Sequence, residues 1–180
     1  VHFLRQLGYP VKLIGLPVSI AEIRDLLLAF GEWVGSPERA EQVVRKMDWQ
    51  LANLNLQQDR VKKTALIYSS NGYTIGSGTL ENVMLNAAGF HNLAVDMGVV
   101  GFEQITLERV VAAQPAFLFI ENHIDNSDSL ASQYVNHPVL DKMLLSKQRE
   151  FIPSRLRACA GPMVVEAINY LSENHHDSKP

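Results

Sequence analysis

The fold is decided by residues 64–89, which read TALIYSSNGYTIGSGTLENVMLNAAG. The apolar run at 64–69 is typical of a buried strand, and the glycine-rich segment at 71–78 is typical of a loop. Residues 79–88 have the pattern of a helix that is closed by Gly89. Strand, loop and helix in this order are the building unit of an α/β protein with a parallel sheet.

The same alternation continues towards the C-terminal end. Thr106 is expected to cap a helix over 107–114. The remaining patterns predict strands at 117–121 and 150–152, and helices at 128–135, at 138–146 and from Gly161 or Pro162 to Leu171. We therefore expect an α/β, Rossmann-like lobe over 61–173, with helices on both faces of a mostly parallel sheet, followed by a disordered tail over 174–180.

Residues 1–35 predict elements that precede this lobe. Residues 1–8 read as the end of an amphipathic helix, and residues 11–15 read as a buried strand. A capping box of Ser19 and Glu22 then begins a helix that ends at Gly35.

A second helix start, Ser36-Pro37-Glu38, introduces the longest predicted element. Apolar residues recur near a 3.6-residue period, and no Gly or Pro interrupts the chain before Gly72. We expect one helix over 37–59, about 33 Å long at a rise of ~1.5 Å per residue. Such a helix is long enough for residues 36–60 to connect two lobes.

The composition excludes several classes of protein. The chain is 47% hydrophobic and 19% charged, which is typical of a folded α/β protein and not of a disordered one. The net charge of −3 gives no basic surface for nucleic acid or for an anionic membrane. The single cysteine, Cys159, excludes an internal disulfide and is interpreted as a core residue.

No apolar stretch reaches the length of about 18 residues that a membrane helix needs, and no leader sequence is evident. Because the chain opens inside a helix, its true N-terminus is expected to lie upstream. The absence of a leader therefore does not bear on where the protein is located.

The second half of the chain contains five characteristic blocks, which are Gly72–Leu80, Leu85–Asn92, Thr106–Pro115, His137–Leu140 and Cys159–Pro162. In their order and spacing these blocks resemble the second lobe of the class III substrate-binding proteins, which serve ABC importers of ferric siderophores, haem and cobalamin. The segment 35–41 resembles the start of the rigid helix between the two lobes of that family. One departure is Pro115-Ala116, where the family usually has Pro-Asp.

The resemblance implies a binding protein rather than an enzyme. It would capture an iron(III)-siderophore, haem or cobalamin in a cleft between two lobes and deliver it to an ABC transporter permease. No cofactor is required, because the metal chelate is the cargo. Residues 1–35 would be a remnant of the first lobe. The intact protein is expected to be a monomer in the periplasm, or outside the cytoplasm on a lipid anchor, and to meet the membrane only through that anchor or the permease.

Two further implications of the resemblance concern the loop at 71–78 and the irregular stretch at 98–104. Tyr73 and Thr74 would contact the ligand at the carboxyl edge of the sheet, where open α/β sheets bind ligands. Tyr73 offers a flat apolar face and one hydroxyl to a large chelate. Phe102 occupies a position similar to one that lines the family's pocket, with a core phenylalanine as the alternative.

Polar residues that follow the later strands complete the expected ligand site. Asn122 and His123 follow the strand at 117–121, and hydrogen bonding is preferred to direct metal ligation because siderophores and cobalamin already saturate their metal. Arg155 and Arg157 follow the last strand, and one of them is expected to face the cleft and bind anionic oxygens. Arg155 is the candidate.

Glu108 is expected to dock the protein on its transporter. The resemblance places a glutamate here on the lobe surface that contacts arginines of the permease. The alternative is an acidic residue in the first turn of a helix, which the helix dipole stabilises, and both roles are compatible.

The rival hypothesis is a small α/β enzyme that binds phosphate or nucleotide at loop 71–79. That loop lacks the lysine of a P-loop and the spacing of a dinucleotide fingerprint. The nearest acids, Glu81 and Asp96, have no evident partner in the sequence. A response-regulator-like domain is also disfavoured, since the clustered acids of such a domain are missing.

Overall fold

The computed structural model describes residues 1–54, 62–121, 135–143, 149–153 and 160–176. Its strands form one sheet in the order β4-β2-β1-β5-β6, and β3 also pairs with β1. The sheet is parallel at β1–β3, β1–β5 and β5–β6, and antiparallel at β1–β2 and β2–β4. The strands are β1 Lys63–Ser69, β2 Tyr73–Ile75, β3 Phe90–Asn92, β4 Phe102–Gln104, β5 Phe117–Glu121 and β6 Arg149–Ile152.

The helices begin where the sequence offers caps. The Ser19, Thr79 and Thr106 side chains each accept a hydrogen bond from the backbone N–H three residues later. Glu22 reaches back as in the predicted capping box, but its carboxylate accepts from the Val18 N–H at 3.0 Å, one residue before the Ser19 cap. The described helices are α1 His2–Gln6, α2 Ile20–Trp33, α3 Pro37–Asn53, α4 Leu80–Ala87, α5 Leu93–Asp96, α6 Leu107–Ala113, α7 Pro138–Met143 and α8 Val164–His176.

Both faces of the sheet are buried, as the predicted Rossmann-like arrangement requires. In β1, Ala65 and Ile67 contribute to one apolar cluster with residues of α4 and α8, whereas Leu66 and Tyr68 contribute to a second cluster with residues of α5, α6 and α7. Strand β5 alternates in the same way. The α/β fold class with helices on both faces is therefore confirmed.

The helical pair α2–α3 is attached to the first of these clusters. Ile23 of α2 and Met47 of α3 are fully buried there. The Arg24 Nε also lies 2.6 Å from the Asp48 Oδ1, which ties the two helices together near their middle. The α2–α3 pair is thus part of the packed lobe.

Helix α3 ends earlier than the sequence pattern predicts. It stops at Asn53, and Leu54 has an extended backbone with φ −64° and ψ 121°. The Asn53 side chain donates to the Trp49 carbonyl at 2.6 Å, a local bond that competes with continued helix. The helix therefore does not run unbroken to residue 59 as predicted, and 55–59 lie outside the described residues.

The predicted strand at 11–15 is absent. None of the described strands pairs with this segment, and Leu13 is 68% exposed. A strand is stable only when its backbone groups pair and one face is covered, and the apolar sequence alone cannot supply either.

Two segments predicted to be irregular are partly strand. The loop at 71–78 contains β2, and the stretch at 98–104 contains β4, because the two segments pair with each other across the edge of the sheet. The predicted tail is helical over 174–176, where α8 continues to His176. The predicted helix at 128–134 and the end of the helix at 144–146 lie outside the described residues.

Gly76 lies where the chain passes closest to Val99. A Cβ atom at this position would overlap the Val99 carbonyl group. We expect Gly76→Ala to lower the free energy of unfolding by about 1–3 kcal/mol, because the backbone has to shift to relieve the overlap. Gly15→Ala is the control, since a Cβ there meets nothing within 4 Å. Urea unfolding that gave equal midpoints for the two variants would contradict this close approach.

Candidate functional site

Three exposed side chains share one face of the β2–β4 ribbon. Tyr73 lies opposite Gln104, and Ile75 lies opposite Phe102, so Tyr73, Phe102 and Gln104 project from the same face. Tyr73 is 45% exposed and Phe102 is 58% exposed. We call Tyr73, Phe102 and Gln104 the ribbon face. It combines two aromatic rings and one carboxamide at the edge of the sheet.

A tight turn fixes the ribbon to the end of β1. Asn71 and Gly72 have left-handed backbones, with φ 62° and 76°. The Gln104 Nε2 donates to the Asn71 carbonyl at 2.6 Å, and the Ile105 N–H donates to the Gly72 carbonyl at 2.9 Å. These two hydrogen bonds join the turn at 71–72 to the end of β4, and they hold the backbone beside Tyr73 in place.

Thr74 is structural rather than solvent-facing. Its side chain is fully buried, and its Oγ1 donates to the Ile67 carbonyl at 2.7 Å. Alternation along β2 turns Thr74 away from the ribbon face that carries Tyr73. The prediction that the Thr74 side chain contacts a ligand is therefore not supported by its position.

Two backbone N–H groups of the glycine-rich segment, and one in the first turn of α4, are already used in hydrogen bonds. The Gly76 N–H donates to the Gly101 carbonyl at 2.9 Å, and the Ser77 N–H donates to the Val99 carbonyl at 3.1 Å. The Thr79 Oγ1 accepts from the Asn82 N–H at 3.2 Å. These N–H groups are not available to cradle a phosphate, as a nucleotide-binding loop would require.

The buried side-chain amide of Asn92 connects the end of β2 to neighbouring elements. The Asn92 Nδ2 donates to the Ile75 carbonyl at 2.9 Å and to the Asn82 Oδ1 at 3.1 Å. The Asn92 Oδ1 accepts from the Ala94 N–H at 3.1 Å. Asn92 therefore links β2, α4 and α5. We interpret it as a structural residue and not as a ligand contact.

Glu108 lies exposed in the first turn of α6. Its own backbone N–H and the Thr106 side chain form hydrogen bonds with the carboxylate and lower its pKa, and the charge of nearby His137 lowers it further. The carboxylate therefore stays ionised at a lower pH than an ordinary glutamate does. Its surroundings agree with either expected role, docking or helix capping.

Strands β1, β5 and β6 end at the same level of the sheet. The remaining polar residues predicted for the site follow β5 and β6 in the sequence. Ser69 pairs with Glu121, and Glu121 pairs with Ile152, so β1, β5 and β6 end side by side. This is the carboxyl edge to which the sequence assigns the ligand site. Asn122, His123, Arg155 and Arg157 lie outside the described residues.

Other parts of the described chain offer no alternative centre for chemistry. Asp96 does have a partner, contrary to expectation, because its Oδ2 lies 2.8 Å from the His91 Nε2 in an exposed pair. No group of three or more His, Cys, Asp or Glu side chains within the described ranges is arranged to hold a metal ion. None of the helices over those same residues is long and apolar enough to cross a bilayer.

An open groove of about 500 Å³ lies between α3 and α8. Trp49, Gln50, Met163 and Asn169 are among its lining residues. The groove is formed by helices and not by strand ends, so it is separate from the ribbon face.

Known proteins resemble this chain in sequence. A family model described as periplasmic binding protein matches residues 4–151. The chain is similar to the vitamin B12-binding protein of Salmonella choleraesuis (strain SC-B67), with 28% identity over 123 residues. The match covers 67% of this chain and 46% of that relative, so the chain spans about half the length of the curated relatives it matches.

Solved structures share the fold. The periplasmic heme-binding protein RhuT from Roseiflexus sp. RS-1 aligns with a TM-score of 0.80 and 21% identity, over 98% of this chain and 70% of that one. A periplasmic heme binding protein from Pseudomonas aeruginosa aligns with the same score and identity, over 99% of this chain and 68% of that one. At this identity the likeness concerns the fold.

The buried position of Thr74 has a measurable consequence. We expect Thr74→Val to lower the free energy of unfolding by about 1 kcal/mol, because the Ile67 carbonyl loses its buried donor. Tyr73→Phe removes a hydroxyl from the adjacent exposed residue and should leave the unfolding midpoint unchanged. A Thr74→Val variant as stable as Tyr73→Phe would show that the buried hydrogen bond contributes nothing.

Proposed function

This chain belongs to the periplasmic binding protein family, and we propose that it captures a metal chelate and delivers it to the permease of an ABC importer. The observation that carries the proposal is the ribbon face, where two exposed aromatic rings stand at the edge of the sheet. Exposed aromatic side chains on a fixed backbone bind large, flat ligands at little entropic cost.

The expected ligands agree with this surface. A chelator that saturates its metal leaves the protein to hold only the organic shell, so no protein side chain has to ligate the metal. The relatives named above are described as binding vitamin B12 and heme. A ferric siderophore, haem or cobalamin is therefore the proposed ligand class, with Tyr73 and Phe102 as its contacts on this lobe.

Capture rather than catalysis is the proposed activity. The hydrogen bonds of Gly76 and Ser77 to residues 101 and 99 argue against the rival phosphate- or nucleotide-binding enzyme, since two N–H groups of the glycine-rich segment are used by the fold. We also propose that Asn122, His123 and Arg155 extend the ligand site after β5 and β6. No cofactor is needed for this activity.

Delivery is proposed to depend on Glu108. An exposed carboxylate with a lowered pKa remains charged over the pH range of a bacterial envelope and can pair with arginines of a permease. The proposed location is accordingly the periplasm, or the outer side of a membrane on a lipid anchor. We also propose a two-lobed arrangement, with residues 1–35 as the remnant of a first lobe and the helix at 36–60 as the connection. Within that remnant, α2 packs with α3 against the described lobe, and the exposed apolar side chains over 1–18 are the surface on which the rest of the first lobe would pack.

Ligand binding can be tested by quenching of intrinsic fluorescence with haemin, cyanocobalamin and a ferric hydroxamate, with ATP and inorganic phosphate as the rival ligands. We expect a chelate to bind and ATP and phosphate not to bind. Tyr73→Ala and Phe102→Ala should each raise the Kd for the chelate about ten-fold, or ~1.4 kcal/mol, because each removes a ring from the contact surface.

Phe3→Ala is the matched control, since Phe3 is also an exposed ring but lies on α1. It should bind like the unmodified chain. Binding of ATP or phosphate in preference to every chelate would overturn the proposed function. Equal losses in the Phe3, Tyr73 and Phe102 variants would remove the ribbon face from the ligand site.

Docking can be tested by charge reversal at Glu108. We expect Glu108→Lys to reduce uptake of the bound chelate by the native host about ten-fold or more, while the Kd of the purified protein is unchanged. The reason is that like charges would then meet at the permease. Glu38→Lys is the control, because Glu38 is likewise in the first turn of a helix, on α3. Normal uptake with Glu108→Lys would refute docking through this residue.

A further inference from the structure

We propose that Gln104 is a specificity-determining residue that presents its Oε1 to N–H or O–H donors of the ligand. The ribbon face would then select a chelate with carboxamides on its rim over one with carboxylates. This inference rests on the proposed function and names the ligand chemistry that this part of the site prefers.

The orientation of the Gln104 carboxamide follows from its partner. The Asn71 carbonyl can only accept a hydrogen bond, so the atom that lies 2.6 Å from it has to be the Gln104 nitrogen. The oxygen is then directed away from the turn. Gln104 is exposed, and no donor to its Oε1 is found among the described residues. Its acceptor capacity is therefore free for a ligand.

The strand register places that oxygen beside the two rings. Tyr73 is directly opposite Gln104, and Phe102 lies two residues away on the same strand and the same face. A ligand that packs on these rings would bring its rim to the carboxamide. Since the bond to Asn71 uses one N–H and holds the carboxamide in one orientation, the position of the Oε1 acceptor beside the rings is fixed.

The local charge favours the same kind of ligand. Segments 70–79 and 98–105 contain no Lys or Arg, and their one charged residue is Glu103. Glu103 pairs with Thr74 on the opposite face and accepts a hydrogen bond from the Val100 N–H at 3.0 Å. The nearest arginine in sequence, Arg109, donates to the Met97 carbonyl at 3.2 Å. A ligand carboxylate here would meet an acceptor oxygen and no described cation, which disfavours it.

The test compares two corrins that differ in their rims. Dicyanocobinamide carries carboxamides, and dicyanocobyrinic acid carries carboxylates at those positions. We expect the unmodified chain to bind the carboxamide form at least ten-fold more tightly by fluorescence quenching. Gln104→Met, which keeps the length of the side chain but removes its oxygen, should bring the ratio of the two Kd values close to one.

Two controls separate specificity from structure. Tyr73→Ala should weaken both corrins together and leave their ratio unchanged, because a ring does not distinguish the two rims. Glu103→Gln removes the nearby charge and should change the ratio less than Gln104→Met does. If Gln104→Met does not fold, Gln104→Thr, which suits an exposed strand position, provides the same readout.

The outcomes are distinct. If the unmodified chain binds neither corrin, nor haemin, nor a ferric hydroxamate, the proposed function itself fails. If it binds chelates but prefers carboxylates, or if the preference for carboxamides persists in the Gln104 variants, the role of Gln104 fails and the proposed function stands.

Discussion

The parallel pairing of β1 with β5 is the constraint on which the rest of the structure depends. Five consecutive pairs, from Ala65 with Phe117 to Ser69 with Glu121, fix the two strands in register. Because alternate side chains of both strands enter different apolar clusters, a slip by one residue would place each cluster's residues on the wrong face. The same pairing sets the level at which both strands end. It therefore determines both the packing of the helices and the position of the edge from which the ribbon extends.

The sequence predicts the elements whose signals are local. The helix starts after Ser19 and Thr106 are predicted correctly because each offers a capping side chain directly before a helical pattern, and the start at Thr79 is predicted to within one residue. The short strands β2 and β4 were missed because three residues give too little periodicity, and their pairing joins segments about 30 residues apart in the chain. The strand predicted at 11–15 is wrong for a related reason. An apolar run gives no information about whether a partner strand is present.

At the candidate site, too, some residues are predictable from the sequence and others depend on long-range strand pairing. Tyr73 and Phe102 were identified from the family resemblance, whereas the inward direction of Thr74 depends on the strand that contains it. Gln104 was missed because its role requires both the register of β4 and the carbonyl of Asn71. One local signal was available, because Asn-Gly at 71–72 favours a turn with two left-handed residues and so a hairpin. That signal predicts β2 and its antiparallel pairing with β1, but not its pairing with β4.

The burial of Ile23 and Met47 has a mechanical consequence. Swinging α2 and α3 away from the lobe would expose both side chains, each at a cost of about 1.5–3 kcal/mol, and would also separate Arg24 from Asp48. If the protein captures a ligand as proposed, the helical pair and the sheet should therefore turn as a single rigid body. Any pivot is better sought where few buried contacts resist bending, and the exposed stretch between α1 and α2 meets that condition.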